Sequence, residues 1–180
     1  MSEFYTFVKN LKDSYLTEEE MVEEFIKETD PVKQIVESCI QYNWGGPFGA
    51  LVMKDGELVG MGCNQVLKNN DPTAHAEIVA IREACKNLGT HDLTGCILYA
   101  TGYPCPMCMS AIMWANIKTV YYTMNYNEAE GIGFRDDFIH RFIKNGCQDK
   151  DTLNFKYIEV PGMPELYDLY SSRKKKEQEY

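Results

Sequence analysis

Between residues 57 and 122 the sequence alternates between two apolar patterns, and this alternation restricts the fold more than any other feature. ELVGMG is a short strand-type run. Residues 74–88 repeat apolar side chains at helical spacing and stop before Gly89. Cys96-Ile97-Leu98-Tyr99-Ala100 is a continuous apolar run, residues 106–115 are helical again, and Thr119-Val120-Tyr121-Tyr122 is rich in β-formers. Strand–helix–strand–helix–strand order predicts an α/β sheet with helices on both faces. Crossovers in such a sheet are right-handed and helix N-termini gather beyond the strand ends. The helix starts near residues 74 and 106 are therefore expected side by side.

The flanking segments extend this frame. FGALVMKDGELVGMG divides around Asp55-Gly56, a hairpin signal. Asp30-Pro31 opens a helix with Val32, Ile35, Val36, Cys39 and Ile40 at helical spacing, which Gly45-Gly46-Pro47 ends. Gly45, Gly46 and Gly49 do not make a phosphate loop, because a strand follows them. Thr17 and Glu20 form a capping-box pattern, with Met21, Phe25 and Ile26 as the apolar face of its helix. Downstream, residues 134–144 and 166–176 are expected to be helical, and Phe155–Val160 alternates like a strand. The expected organisation is a partly helical extension over 1–29 and one domain over 30–180.

Composition excludes several classes. At 180 residues, with 44% hydrophobic and 25% charged, the chain suits a soluble domain with a sizeable core. No apolar run approaches the ~20 residues that span a bilayer. The start, MSEFYTFVKN, lacks a basic segment followed by an apolar one, so no secretory signal and a cytoplasmic location are expected. The net charge is −9, and the one dense basic run is Arg173–Lys176, which argues against a nucleic-acid partner. Seven cysteines at scattered positions do not resemble a disulfide framework. Cys39, Cys63, Cys85, Cys96 and Cys147 are expected to be reduced and mainly buried.

Cys105 and Cys108 are different. They stand at i and i+3, with Pro106 at a first helical position, so both sulfurs would sit at one helix start where the dipole favours thiolate. A redox pair or two metal ligands would use the same physics. A catalytic zinc needs a third protein ligand, and His75 stands at the start of the neighbouring helix. His91 is expected on loop surface and His140 on a solvated helix face. His75 and Glu77 are at i and i+2, about 200° apart in a helix interior, but both can reach inward from a first turn. H-x-E followed by P-C-x-x-C is the zinc deaminase signature. In it His75, Cys105 and Cys108 hold Zn2+ with a water in the fourth position. Glu77 takes the water proton, passes it to a ring nitrogen and helps protonate the departing amine. A structural zinc or a redox pair remain the alternatives, the latter leaving His75 and Glu77 idle.

The segments GGPFGA, NDPTAHAEIVAIREACKNLG, CILYATGYPCPMCMSAIMWA and GFRDDFIH run in order over residues 45–140. Together they resemble the bacterial guanine deaminases of the cytidine deaminase-like superfamily. The resemblance implies a three-layer α/β/α sandwich with a five-stranded mixed sheet. It also implies hydrolysis of guanine, a small purine base, to xanthine and ammonia, and a homodimer whose C-terminal segments can be exchanged. It assigns zinc to His75, Cys105 and Cys108, and proton transfer to Glu77 and Asp136. Base binding falls to Asn64 with Phe48, Ala76 and Trp114. The lysine-rich tail would close over the active site, with Tyr180 against the base. The competing readings are a deaminase of guanosine, cytosine or another amino-substituted heterocycle, and a tRNA adenosine deaminase. One departure bears on substrate choice: Tyr103 stands before Pro104-Cys105 where the family has Glu.

Overall fold

Helix α1 (Pro31–Gln41) begins at the proline and lays Val32, Ile35 and Val36 on one side. Strands β1 (Gly49–Lys54) and β2 (Glu57–Cys63) are joined by Asp55 and Gly56, both at positive φ, as a two-residue hairpin turn requires. Helices α2 (Val66–Asn69) and α3 (Ala76–Leu88), strand β3 (Cys96–Gly102), helix α4 (Pro106–Trp114), strand β4 (Thr119–Met124) and helix α5 (Tyr126–Gly131) follow. The computed structural model describes Thr17, Glu20 and residues 31–173. Thr17 and Glu20 make the expected capping box: the Thr17 N–H donates to Glu20 Oε2 (2.7 Å) and the Glu20 N–H to Thr17 Oγ1 (3.3 Å). The rest of the extension, including Met21, Phe25 and Ile26, and the tail over 174–180 lie outside the described residues.

The sheet order is β2-β1-β3-β4. Strand β1 is antiparallel to β2 and β3, and β3 is parallel to β4 across the α4 crossover. Alternate residues divide between two cores, as a strand period of two demands. Ala50, Val52, Leu98 and Ala100 face Ala76, Ala80 and Ala84 of α3 and Ile112 of α4. Leu51, Met53, Ile97 and Tyr99 face Val32 of α1. Helices thus cover both faces, and a fully buried side chain such as Leu51 or Leu98 contributes about 1.5–3 kcal/mol.

The small side of β2 sets the position of α3. A Cβ on Gly62 would stand 2.6 Å from the Ala76 carbonyl oxygen and 2.7 Å from the Ala80 nitrogen. Only a residue without a side chain lets the helix backbone come so close to the strand. The same approach fixes where α3 starts, and His75 precedes that start.

The chain divides into two compact units, Met1–Arg135 and Asp136–Tyr180. The second carries α6 (Asp137–Lys144), which starts three residues later than expected and ends where expected, and α7 (Met163–Arg173), which starts three residues earlier than expected. The expected five-stranded sheet is corrected to four strands among the described residues. Phe155–Val160 has strand-like alternation but forms no ladder, and all six residues are exposed. A strand exists only against a partner edge, and its own unit contains no other described strand.

Candidate metal centre and active site

Helices α3 and α4 start beside one another, and each is preceded by a residue of extended backbone whose side chain does not cap its own helix. These residues are His75 (φ −68°, ψ 157°) and Cys105 (φ −66°, ψ 166°). Neither side chain turns back onto its own helix, and the two meet instead. His75 Nδ1 lies 3.6 Å from Cys105 Sγ and 3.6 Å from Cys108 Sγ. Bonds of about 2.1 Å to nitrogen and 2.3 Å to sulfur at a tetrahedral angle require an N···S separation of about 3.6 Å. The three ligand atoms all fall within 4.8 Å of one another. The donor set and its spacing fit zinc.

His75 precedes its helix, so the 200° separation from Glu77 that holds inside a helix does not apply. Glu77, in the first turn of α3, is buried. Its carboxyl is pushed above the usual range, first by burial and then by the Cys105 sulfur, while the Cys108 thiol hydrogen-bonds to it and opposes the shift. Glu77 therefore reaches the two cysteines. The cysteines titrate in opposite directions. A hydrogen bond from Cys108, helped by His75 and opposed by burial, brings Cys105 down to about 4. Cys108, bonded to that sulfur and buried, is pushed up.

Asn64 follows β2 and is buried. The next residue ties it to the metal loop, because the Gln65 N–H donates to the Ala74 carbonyl (2.9 Å). Ala76 is the buried first residue of α3. Phe48 precedes β1 and meets Phe134 edge-on, with ring centroids 4.8 Å apart at 86°. Phe134 is a neighbour that sequence reasoning did not single out. Trp114 ends α4 and is 69% exposed. Tyr103 places its ring edge-on against Tyr122 of β4 (5.0 Å, 87°) and its N–H on the Met124 carbonyl (2.8 Å).

Asp136 begins the second unit and precedes α6. His140 Nε2 stands 3.4 Å from Asp136 Oδ2 and is itself shielded, while the His140 side chain as a whole is 37% exposed, so His140 lies on a partly solvated helix face. His91 is exposed, as expected. Tyr180 lies outside the described residues. Cys39, Cys63 and Cys96 are buried and in no disulfide and Cys85 is half-buried, as expected, whereas Cys147 is exposed.

Residues 31–124 match the family described as the cytidine and deoxycytidylate deaminase zinc-binding region. The chain is also 49% identical to the guanine deaminase of Bacillus subtilis (strain 168) over 116 residues, 64% of this chain and 74% of the relative. The chain belongs to the guanine deaminase family of the zinc deaminases. The X-ray structure of guanine deaminase from Bacillus subtilis superposes on this deaminase with a TM-score of 0.71 at 35% identity, covering 92% of this chain and 99% of that one. The tRNA-specific adenosine deaminase of Aquifex aeolicus (strain VF5) is 46% identical over 77 residues, 43% of this chain and 51% of that relative. Among the described residues, no helix of this deaminase is long and apolar enough to cross a membrane.

Proposed function

We propose that this deaminase hydrolyses guanine to xanthine and ammonia, in the breakdown of purine bases in the cytoplasm. The observation that carries the reading is His75, Cys105 and Cys108 at zinc spacing with the buried Glu77 carboxyl reaching the same cysteines. Zinc held there would supply a Lewis acid that lowers the pKa of a bound water to around 7. Glu77 accepts a proton from water and delivers it to the purine ring nitrogen, and its raised pKa suits a group that must hold the proton between these events. Burial keeps solvent from competing for that proton.

Asn64 offers an amide donor and acceptor to the edge of the base. Phe48 and Ala76 form part of the wall around it. Asp136 as a second proton carrier, Trp114 as a wall residue and Tyr180 as a cap rest on the family resemblance. The net charge of −9 disfavours the tRNA reading, because a backbone of phosphates needs cations. A homodimer with exchanged C-terminal segments is supported by the apolar surface of the second unit, where Phe155 is 70%, Tyr157 92% and Ile158 78% exposed.

Ammonia release by zinc-loaded protein from guanine, guanosine, cytosine and adenine tests the reading. Guanine should be the preferred substrate, and turnover of adenine or cytosine with silence on guanine would overturn it. Glu77→Gln should keep one zinc and lose about 10²–10⁴-fold or more in kcat, whereas His75→Ala should lose both metal and activity.

A further inference from the structure

We propose that Gly45 and Cys39 are positioning residues that hold the Asn64 amide for purine recognition. The inference rests on the assignment of Asn64 to the base. Asn64 is fixed by its main chain on two sides: its N–H donates to the Phe48 carbonyl (3.0 Å) and its carbonyl accepts the Cys39 thiol (2.8 Å). The thiol also reaches the Gly46 carbonyl at 3.6 Å, so one buried group at the end of α1 spans the diglycine turn and the end of β2. The side-chain Oδ1 accepts the Val66 N–H (3.2 Å), which fixes which way the amide faces.

Gly45 closes the remaining side. A Cβ at this position would overlap Asn64 Oδ1 and stand 2.9 Å from both its Cγ and its carbonyl oxygen. The backbone gives no other reason for glycine, since Gly45 is not among the residues at positive φ. Space for the Asn64 amide is thus the requirement, and an alanine would displace that amide while leaving the turn allowed. Cys39 is fully buried, and alanine would nearly fill its volume, so what it adds is the S–H donated to Asn64. An amide held this way needs no reorganisation when the base arrives, and binding is tighter for it.

Kinetics on guanine with zinc-loaded Gly45→Ala, Asn64→Ala and the double variant test the cradle. Gly45→Ala should raise KM at least tenfold with a smaller change in kcat, keep one zinc per chain, and add nothing in the Asn64→Ala background. A normal KM for Gly45→Ala, or a full additional loss in the double variant, overturns the inference, because residues acting through one group are not additive. If Asn64→Ala alone leaves KM unchanged, the assignment of Asn64 fails and the cradle fails with it. Should Gly45→Ala not fold, the Cys39 pair decides. Cys39→Ser, which keeps a donor, should hold KM near the parent value, and Cys39→Ala should raise it. Equal KM values for the two overturn the proposal.

Discussion

Cys105 and Cys108 share one helix start yet hold their protons very differently, and this has a measurable consequence. Without metal, Cys105 at about 4 is a thiolate near neutral pH, while Cys108 keeps its proton. Zinc takes thiolates, so binding should displace about one proton per metal rather than two. Calorimetric titration at pH 7 in two buffers of different ionisation enthalpy measures that number, and a value near two would mean that both sulfurs start as thiols. Glu77 gives a second residue-scale prediction. Its folded-state pKa lies above the ordinary 4.5. The protonated form is therefore favoured by folding, and the stability it contributes is present below that pKa and lost as pH rises through the raised value. Metal-free Glu77→Gln should melt higher than the parent at neutral pH, with the difference closing towards pH 4.

At the scale of elements, the site depends on where two helices begin. The start of α3 is set by its backbone lying against Gly62 of β2, and the start of α4 follows β3 in the middle of the sheet. A methyl on Gly62 would meet helix backbone, which cannot turn aside as a side chain can. Gly62→Ala should cost about 1–3 kcal/mol in stability, as overpacking does, and should weaken zinc binding because His75 moves with α3. Thermal melts and competition with a chelator read the two effects. Gly62→Ala with parental zinc affinity would show that His75 is placed by its own loop instead. Much of this scale is legible in the sequence: the hairpin at Asp55-Gly56, the stop at Gly89, the proline at the start of α4 and the helical spacing in α3 each act through neighbours a few residues away.

At the scale of the whole molecule, the second unit presents Phe155, Tyr157 and Ile158 to solvent, and Leu166 and Tyr167 of α7 are exposed as well. Exposed apolar surface of this extent calls for a cover. Light scattering should find a dimer, and Ile158→Lys should shift it towards monomer without loss of zinc. A parental dimer in that variant would place the interface elsewhere.

That His75, Cys105 and Cys108 form one cluster with Glu77 beside it was legible in the sequence alone, because H-x-E and P-C-x-x-C each lie within a single turn and the αβ alternation brings the two turns together. The order of strands β1 to β4, the hairpin and the division of each strand between two cores follow from the same local periodicity. Tertiary structure decided what depends on contacts distant in the chain. It denied Phe155–Val160 a place in the sheet, since alternation supplies a strand's pattern but not its partner edge. It placed Phe134 against Phe48, and it gave Gly45 and Cys39 their relation to Asn64, 19 and 25 residues away in the chain. A glycine pair reads in sequence as a turn, and a cysteine on an apolar helix face reads as core. Only packing shows which atom needs the space and which carbonyl receives the thiol.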